Sequence, residues 1–100
     1  MSRSKINLPG HKVVDFCRRN RIARLSLFGS VLREDFNEDS DIDILVEFET
    51  EHVPGFLRLA GMEMEFSELL GGRKVDMRTP DELSRYFRNE VMGTAEVQYG

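Results

Sequence analysis

The sequence predicts an α+β fold, in which a small mixed β-sheet carries helices packed mainly against one face. Three observations predict it. Segments with helical periodicity alternate along the chain with short, β-prone segments. The chain has 100 residues, the length of one domain. It contains no internal repeat, low-complexity stretch or interdomain linker. We therefore expect a single domain over residues 1–100.

The first half of the chain predicts two helices and two strands. Pro9 suits the first turn of a helix because its missing N–H has no intrahelical partner to lose there. Gly29 and Ser30 interrupt a β-prone segment, and we expect a short helix to start at Ser30. The predicted elements are a helix over 9–20, a strand over 24–28, a short helix over 31–36 and a strand over 41–48.

The second half predicts the same alternation. Gly71 and Gly72 supply the left-handed conformation that ends a helix. Thr79, Pro80 and Asp81 form a typical helix start. The predicted elements are a helix over 55–70, a strand over 73–78, a helix over 81–92 and a short strand over 95–99.

Composition restricts the class of protein. Hydrophobic residues make up 40% and charged residues 32%, as in an ordinary globular domain. No apolar run approaches the roughly 20 residues that span a bilayer, and no secretory signal is recognisable at the N-terminus. The single cysteine, Cys17, allows no internal disulfide and fits a reducing compartment. We expect a cytoplasmic protein with no membrane partner.

The net charge of −4 argues against binding bulk nucleic acid, which requires a surplus of Lys and Arg. It does not argue against a nucleotide. Metal ions held on carboxylates can balance the charge of a nucleotide, and those carboxylates would themselves make a small domain acidic.

Three aspartates are the candidate metal ligands. Asp41 and Asp43 stand two residues apart in a predicted strand, so their side chains leave the same face. Asp76 can reach the same point if its strand pairs beside theirs. Carboxylate oxygens are the ligands that Mg²⁺ prefers, and a divalent cation turns their mutual repulsion into binding. The alternative is a solvated strand face, although aspartate is depleted in strands.

Gly29 and Ser30 are the candidate phosphate site. Gly29 permits a tight turn and a close approach of a ligand to the backbone. Ser30 offers a hydroxyl at the start of a helix, where exposed N–H groups attract anions. Arg33 lies one turn further on and is either a phosphate ligand or a solvated surface residue. Together with the carboxylates, this pattern is typical of a site for a triphosphate and its Mg²⁺ ions.

These residues resemble a known family. Gly-Ser, ten further residues, Asp-x-Asp and a later strand with a third Asp resemble the nucleotidyltransferase superfamily typified by DNA polymerase beta. Residues 27–48 and 72–77 are similar to its smallest branch, the minimal nucleotidyltransferases (MNT). The similarity runs from about residue 7 to the end. Met77 and Arg78 depart from it, because that branch more often has aliphatic residues there.

The resemblance implies a nucleotidyltransferase fold reduced to the catalytic palm, and it implies residue roles. Gly29 and Ser30 would hold the triphosphate. Asp41 and Asp43 would ligate two Mg²⁺ ions, and Asp76 would complete the site and assist the acceptor hydroxyl. The reaction would be in-line attack on the α-phosphorus of a nucleoside triphosphate, with pyrophosphate leaving.

The resemblance also suggests an acceptor. Many minimal nucleotidyltransferases are antitoxins of helical HEPN ribonuclease toxins, and several transfer AMP from ATP to a toxin tyrosine. We therefore expect ATP as donor, an HEPN-type toxin as partner and protein adenylyltransferase activity. Two alternatives remain. One is a non-catalytic nucleotide-binding antitoxin that occludes its partner. The other is a transferase for a small, aminoglycoside-like acceptor. Either a homo- or a hetero-oligomer is compatible with the sequence.

Overall fold

The protein is described here by a computed structural model covering residues 8–32, 40–49, 55–83 and 85–100. Within these residues, four strands and three α-helices follow one another, with two short 3₁₀ turns between them. The elements are α1 (Gly10–Arg19), β1 (Ile22–Phe28), a 3₁₀ turn (Gly29–Leu32), β2 (Ile42–Phe48), α2 (Phe56–Leu69), β3 (Val75–Arg78), a 3₁₀ turn (Pro80–Glu82), α3 (Arg85–Thr94) and β4 (Glu96–Tyr99).

The sheet is mixed, as predicted. Its strand order is β3-β2-β1-β4. β1 pairs antiparallel with both β2 and β4, whereas β2 and β3 run parallel. The parallel pair follows from the connection through α2, because a helical crossover returns the chain to the same end of the sheet. β3 lies at one end of the strand order and is therefore an edge strand, which touches β2 on one side.

α1 and α2 cover one face of the sheet and build the main core with it. Phe16 of α1 and Phe66 of α2 meet edge to face, with ring centroids 5.1 Å apart, a favourable aromatic geometry. Alternate residues of the strands project into this layer. The fully or nearly buried members are Val13, Phe16, Cys17, Ile22, Leu25, Leu27, Val31, Ile42, Ile44, Val46, Leu59, Met62, Phe66 and Met77.

The opposite face has a smaller cover. Leu83 and Val91, the latter on α3, pack on Phe28 and Leu45 of the sheet and form a second buried cluster. Helices therefore lie mainly on one face, as predicted, and α3 closes part of the other. None of the described helices is both long and apolar enough to traverse a lipid bilayer.

The predicted helix over 81–92 is divided in two. A 3₁₀ turn covers Pro80–Glu82, and α3 begins only at Arg85. Between them Leu83 is extended, with φ −86° and ψ 141°, which turns its side chain into the second cluster. Arg88 stabilises the break, since its Nε donates to the Pro80 carbonyl at 2.8 Å and its Nη2 to the Leu83 carbonyl at 3.3 Å. These contacts are tertiary, so the local pattern could not reveal them.

The other element boundaries agree with the predictions to within about two residues, the range over which helix ends are ambiguous. The short helix is a 3₁₀ turn that begins at Gly29 rather than Ser30, and positions 33–36 of the prediction lie outside the described residues. α2 ends as predicted. The N–H of Gly72 donates to the Ser67 carbonyl at 2.8 Å and that of Gly71 to the Glu68 carbonyl at 3.1 Å, the Schellman pattern.

Candidate active site

The pairing of β2 and β3 places the three predicted aspartates on one sheet face. Asp43 and Asp76 are direct partners in the parallel register. Asp41 precedes β2 by one residue, and the N–H of Ile42 donates to the carbonyl of Lys74 at 2.8 Å. Because side chains alternate along a strand, Asp41, Asp43 and Asp76 all leave the side opposite to Ile42 and Ile44. The core residues of these strands therefore fix which way the carboxylates point.

Gly29 lies directly against the carboxylate of Asp43. It follows Phe28, which pairs with Asp43 across β1 and β2, and it has a left-handed φ of +74°. A Cβ at this position would collide with Oδ2 of Asp43 and stand 3.2 Å from its Cγ. The backbone conformation therefore favours glycine here, and any larger residue would have to displace the Asp43 carboxylate. A cradle without side chains, bounded by a carboxylate, suits a metal-bound phosphate.

The turn after β1 is anchored in the main core. Val31, inside the 3₁₀ turn, is completely buried in the main core. This anchor fixes Gly29 beside the end of β1. The side chain of Ser30 and all of Arg33 lie outside the described residues, so their predicted contacts with phosphate stay predictions.

Two cations, one at the end of β3 and one just before its start, share the face of the aspartates. Arg78 donates from Nε to Oδ2 of Asp76 at 3.2 Å. Lys74 stands at the other end of the strand, with Nζ 4.0 Å from Oδ1 of Asp41. Within the described residues, no three Asp, Glu, His or Cys side chains are arranged to hold one metal ion. The backbone brings the aspartates side by side, but in the described conformation Asp76 is turned to Arg78.

The outer edge of β3 is held by α2. The N–H of Met77 donates to Oε2 of Glu63 at 2.7 Å. This bond gives an acceptor to a backbone N–H on the open edge of the sheet. Just before the strand, the hydroxyl of Ser67 donates to the carbonyl of Arg73. The strand that presents Asp76 is therefore bound to β2 on one side and to α2 on the other. Sequence reasoning missed Glu63 because nothing local marks a side chain that bonds a strand 14 residues away.

Arg78 was also missed as a partner of Asp76. The available signal was its spacing, since opposite charges two residues apart in a strand share a face. The prediction treated Arg78 only as a departure from the family pattern. The departure from the family pattern at Arg78 therefore places a cation in contact with a candidate metal ligand.

Comparison with known proteins agrees with this fold and site. The sequence model described as "Nucleotidyltransferase domain" matches residues 11–96. A protein of Methanocaldococcus jannaschii, provisionally named a protein adenylyltransferase, is 32% identical over 90 residues, covering 90% of this chain and 94% of that protein. The chain therefore belongs to the nucleotidyltransferase family. Its similarity within this enzyme family is to small members, as the sequence predicted.

Further comparisons specify that similarity. The protein adenylyltransferase MntA of Thermococcus cleftensis is 39% identical over 70 residues, covering 70% of this chain and 67% of that protein. A solved structure provisionally described as a minimal nucleotidyltransferase superposes with a TM-score of 0.70 at 34% identity, covering 85% and 84% of the two chains. A toxin-antitoxin structure with AMP-PNP gives a TM-score of 0.75 at 21% identity, covering 93% of this chain and 74% of the other. The last likeness shows a shared fold.

Proposed function

We propose that the protein transfers AMP from ATP, with Mg²⁺, to a hydroxyl group of a partner toxin, and that this neutralises the toxin. The observation that carries the proposal is the placement of Asp43 opposite Asp76, with Asp41 on the same face and Gly29 against Asp43. In a chain of the nucleotidyltransferase family, carboxylates of two adjacent strands here lie beside a turn whose first residue, Gly29, has no side chain.

The donor set fits Mg²⁺. Carboxylate oxygens are hard ligands, and Mg²⁺ is commonly bound by one or two of them together with substrate phosphates. Asp41 and Asp43 would hold the ions, with Asp76 completing the set. When bound, Mg²⁺ would offset the charge of the phosphates and stabilise both the attacking and the leaving oxygen.

The chain's own residues would bind and orient the reactants. The turn at Gly29 would admit the triphosphate beside Asp43, and Ser30 and Arg33 would contact its oxygens. The acceptor oxygen would form a bond to the α-phosphorus while the bond from that phosphorus to the bridging oxygen breaks and pyrophosphate leaves. Asp76 would take the proton of the acceptor hydroxyl. Most of the rate would come from positioning and electrostatics.

The proposed acceptor is a tyrosine of a helical HEPN-type toxin. Two findings support a protein acceptor. The relatives with more than 30% identity are named protein adenylyltransferases, and the fold is shared with chains of toxin-antitoxin structures. The net charge of −4 supports a protein rather than bulk nucleic acid as partner.

The test is transfer of label from ATP to the product of the neighbouring gene. We expect label from the α-phosphate, no label from the γ-phosphate, and loss of signal with EDTA. The double variant Asp41→Asn plus Asp43→Asn should lower the signal at least about a hundredfold, since it removes the charges that would hold the metal. Equal labelling by the wild type and the double variant would overturn the proposal.

A second candidate function is neutralisation by occlusion, with a nucleotide site that does no chemistry. The observation that favours it is the ion pair of Asp76 with Arg78, which occupies the third carboxylate. The two functions separate in cells that express the toxin. Catalysis requires that Asp41→Asn plus Asp43→Asn abolish protection, whereas occlusion requires that the double variant protect as well as the wild type.

A further inference from the structure

Arg78 contacts Asp76, the third carboxylate of the candidate site. Arg78 Nε lies 3.2 Å from Oδ2 of Asp76, within hydrogen-bond distance. The two side chains are 45% and 35% exposed, so the pair is open to solvent and to ions. A guanidinium that engages a carboxylate takes up one of its acceptor sites and holds the group in one orientation, and a metal ion needs the same group.

The backbone of β3 is held in place, so the side chain of Asp76 is the part that can change conformation. Met77, its neighbour, is buried in the core, and its N–H is bonded to Glu63. Asp76 itself is paired in register with Asp43. Since the strand is held on both sides, rotation about the side-chain bonds of Asp76 decides between Arg78 on its own strand and Asp43 on the next.

We propose that Arg78 is a positioning residue that competes with the divalent cation for Asp76 and thereby sets the metal affinity of the site. This inference rests on the proposed function, because it takes Asp76 to be a metal ligand. Two positive groups at one carboxylate repel each other, so the guanidinium contact at Oδ2 opposes binding of the cation to Asp76. Arg78 therefore weakens metal binding while leaving the fold unchanged.

Lys74 provides a matched control. It carries the same charge on the same face of the same segment and approaches Asp41 as Arg78 approaches Asp76. Its contact is looser, however, at 4.0 Å, and its side chain is 82% exposed. If charge alone matters, Lys74 and Arg78 will have equal effects. If the direct contact matters, Arg78 will have the larger one.

The experiment is calorimetric titration of the protein with Mn²⁺ alone, without nucleotide. We expect Arg78→Gln to bind Mn²⁺ about two- to fivefold more tightly than the wild type, the fold-change that corresponds to an exposed ion pair. Lys74→Gln should change the affinity by less than about twofold. Arg78→Lys, which keeps the charge but loses the planar donor, should fall between wild type and Arg78→Gln.

A double-variant cycle tests the route of the effect. In an Asp76→Asn background, Arg78→Gln should leave Mn²⁺ affinity unchanged, because the group for which they compete has been removed. Thermal unfolding serves as the folding control, and all four substitutions lie at exposed or half-exposed positions.

The outcomes separate this inference from the proposed function. Unchanged or weaker Mn²⁺ binding in Arg78→Gln, or equal gains in Lys74→Gln, overturns the inference, whereas transfer of AMP by the wild type would still support the function. Failure of the wild type to bind Mn²⁺ and to transfer AMP would overturn both. Tighter binding in Arg78→Gln that disappears in the Asp76→Asn background supports the inference.

Discussion

Gly29 is constrained in two ways, by its own backbone conformation and by the neighbouring carboxylate of the candidate site. Its φ of +74° disfavours other residues on conformational grounds, and a Cβ there would have to displace the Asp43 carboxylate. The two effects can be measured separately, because another glycine shares only the first of them. Gly71, at the end of α2, has a φ of +78°, and a Cβ there would meet nothing within 4 Å.

Gly29→Ala and Gly71→Ala should therefore have similar effects on stability and different effects on activity. Each should lower the free energy of unfolding by about 1–2 kcal/mol, since each places alanine in the left-handed region. Only Gly29→Ala should displace Asp43, and we expect a loss of AMP transfer of at least about tenfold. Urea unfolding and initial rates measure the two effects. Equal activity of both variants would contradict the role of Gly29.

Cys17 is a second residue with a measurable property. Its side chain is fully buried in α1, and burial raises the pKa of the thiol to about 12. The thiol is therefore neutral at physiological pH and a poor nucleophile. Iodoacetamide should label it only after denaturation, with rates that follow unfolding.

The raised pKa of Cys17 also predicts a pH dependence. The folded state favours the protonated thiol, so this contribution to stability is complete below the unfolded pKa near 9 and is lost as the pH rises toward 12. Between pH 9 and 10 the free energy of unfolding should fall by roughly 1 kcal/mol more in the wild type than in Cys17→Ala. Parallel pH profiles of the two proteins would contradict this assignment.

At the scale of the elements, β3 depends on contacts made by its neighbours. It has four residues, pairs with β2 alone within the described part of the chain, and receives Glu63 of α2 on its open side. A short edge strand has few hydrogen bonds of its own. The position of Asp76 is therefore determined by α2 as much as by the sheet.

Removal of the Glu63 carboxylate should loosen β3. Glu63→Met leaves the Met77 N–H without this acceptor and should lower stability by about 1–2 kcal/mol. Glu63→Gln keeps an acceptor oxygen and should retain most of the stability. Glu65→Met is the matched control. Glu65 lies on the same helix as Glu63, and this substitution removes its 2.6 Å ion pair with Arg19 of α1. That pair is exposed and screened by solvent, so its loss should change stability little.

Hydrogen exchange reports the effect of these substitutions directly. The Met77 amide should exchange faster in Glu63→Met than in Glu63→Gln or Glu65→Met, because local opening of the edge controls it. Equal exchange in the three variants would show that Glu63 does not hold the strand.

The same elements show how far sequence reasoning reaches. Periodicity located every strand and α-helix in the described part of the chain, because amphipathic faces, glycine caps and turn residues are local signals. The break between Pro80 and Arg85 was not predictable in this way. It depends on Arg88 bonding the Pro80 and Leu83 carbonyls and on the burial of Leu83.

For the candidate site the same distinction holds. The shared face of Asp41 and Asp43 follows from the two-residue period of a strand, and the sequence was sufficient to predict it. The register of Asp76 with Asp43 required the actual pairing of β2 and β3. The turn of Asp76 to Arg78 depends on side-chain torsions, about which the sequence pattern carries no information.

At the scale of the whole molecule, the two sheet faces have different tasks. α1 and α2 seal one face into the main core, and that core fixes the alternation that sends the aspartates to the other. On the other face, α3 packs over Phe28 and Leu45. The fold thus supplies a rigid platform on one side and an accessible row of carboxylates on the other.

The most direct test of this account is the equilibrium binding of AMP-PNP by the wild type and by Asp41→Asn plus Asp43→Asn, each with Mg²⁺ and with EDTA. The account predicts that the wild type binds at least about tenfold more tightly with Mg²⁺ than with EDTA, and that the double variant loses this difference. Equal affinity in all four conditions would contradict the claim that these carboxylates share a divalent cation with a nucleotide.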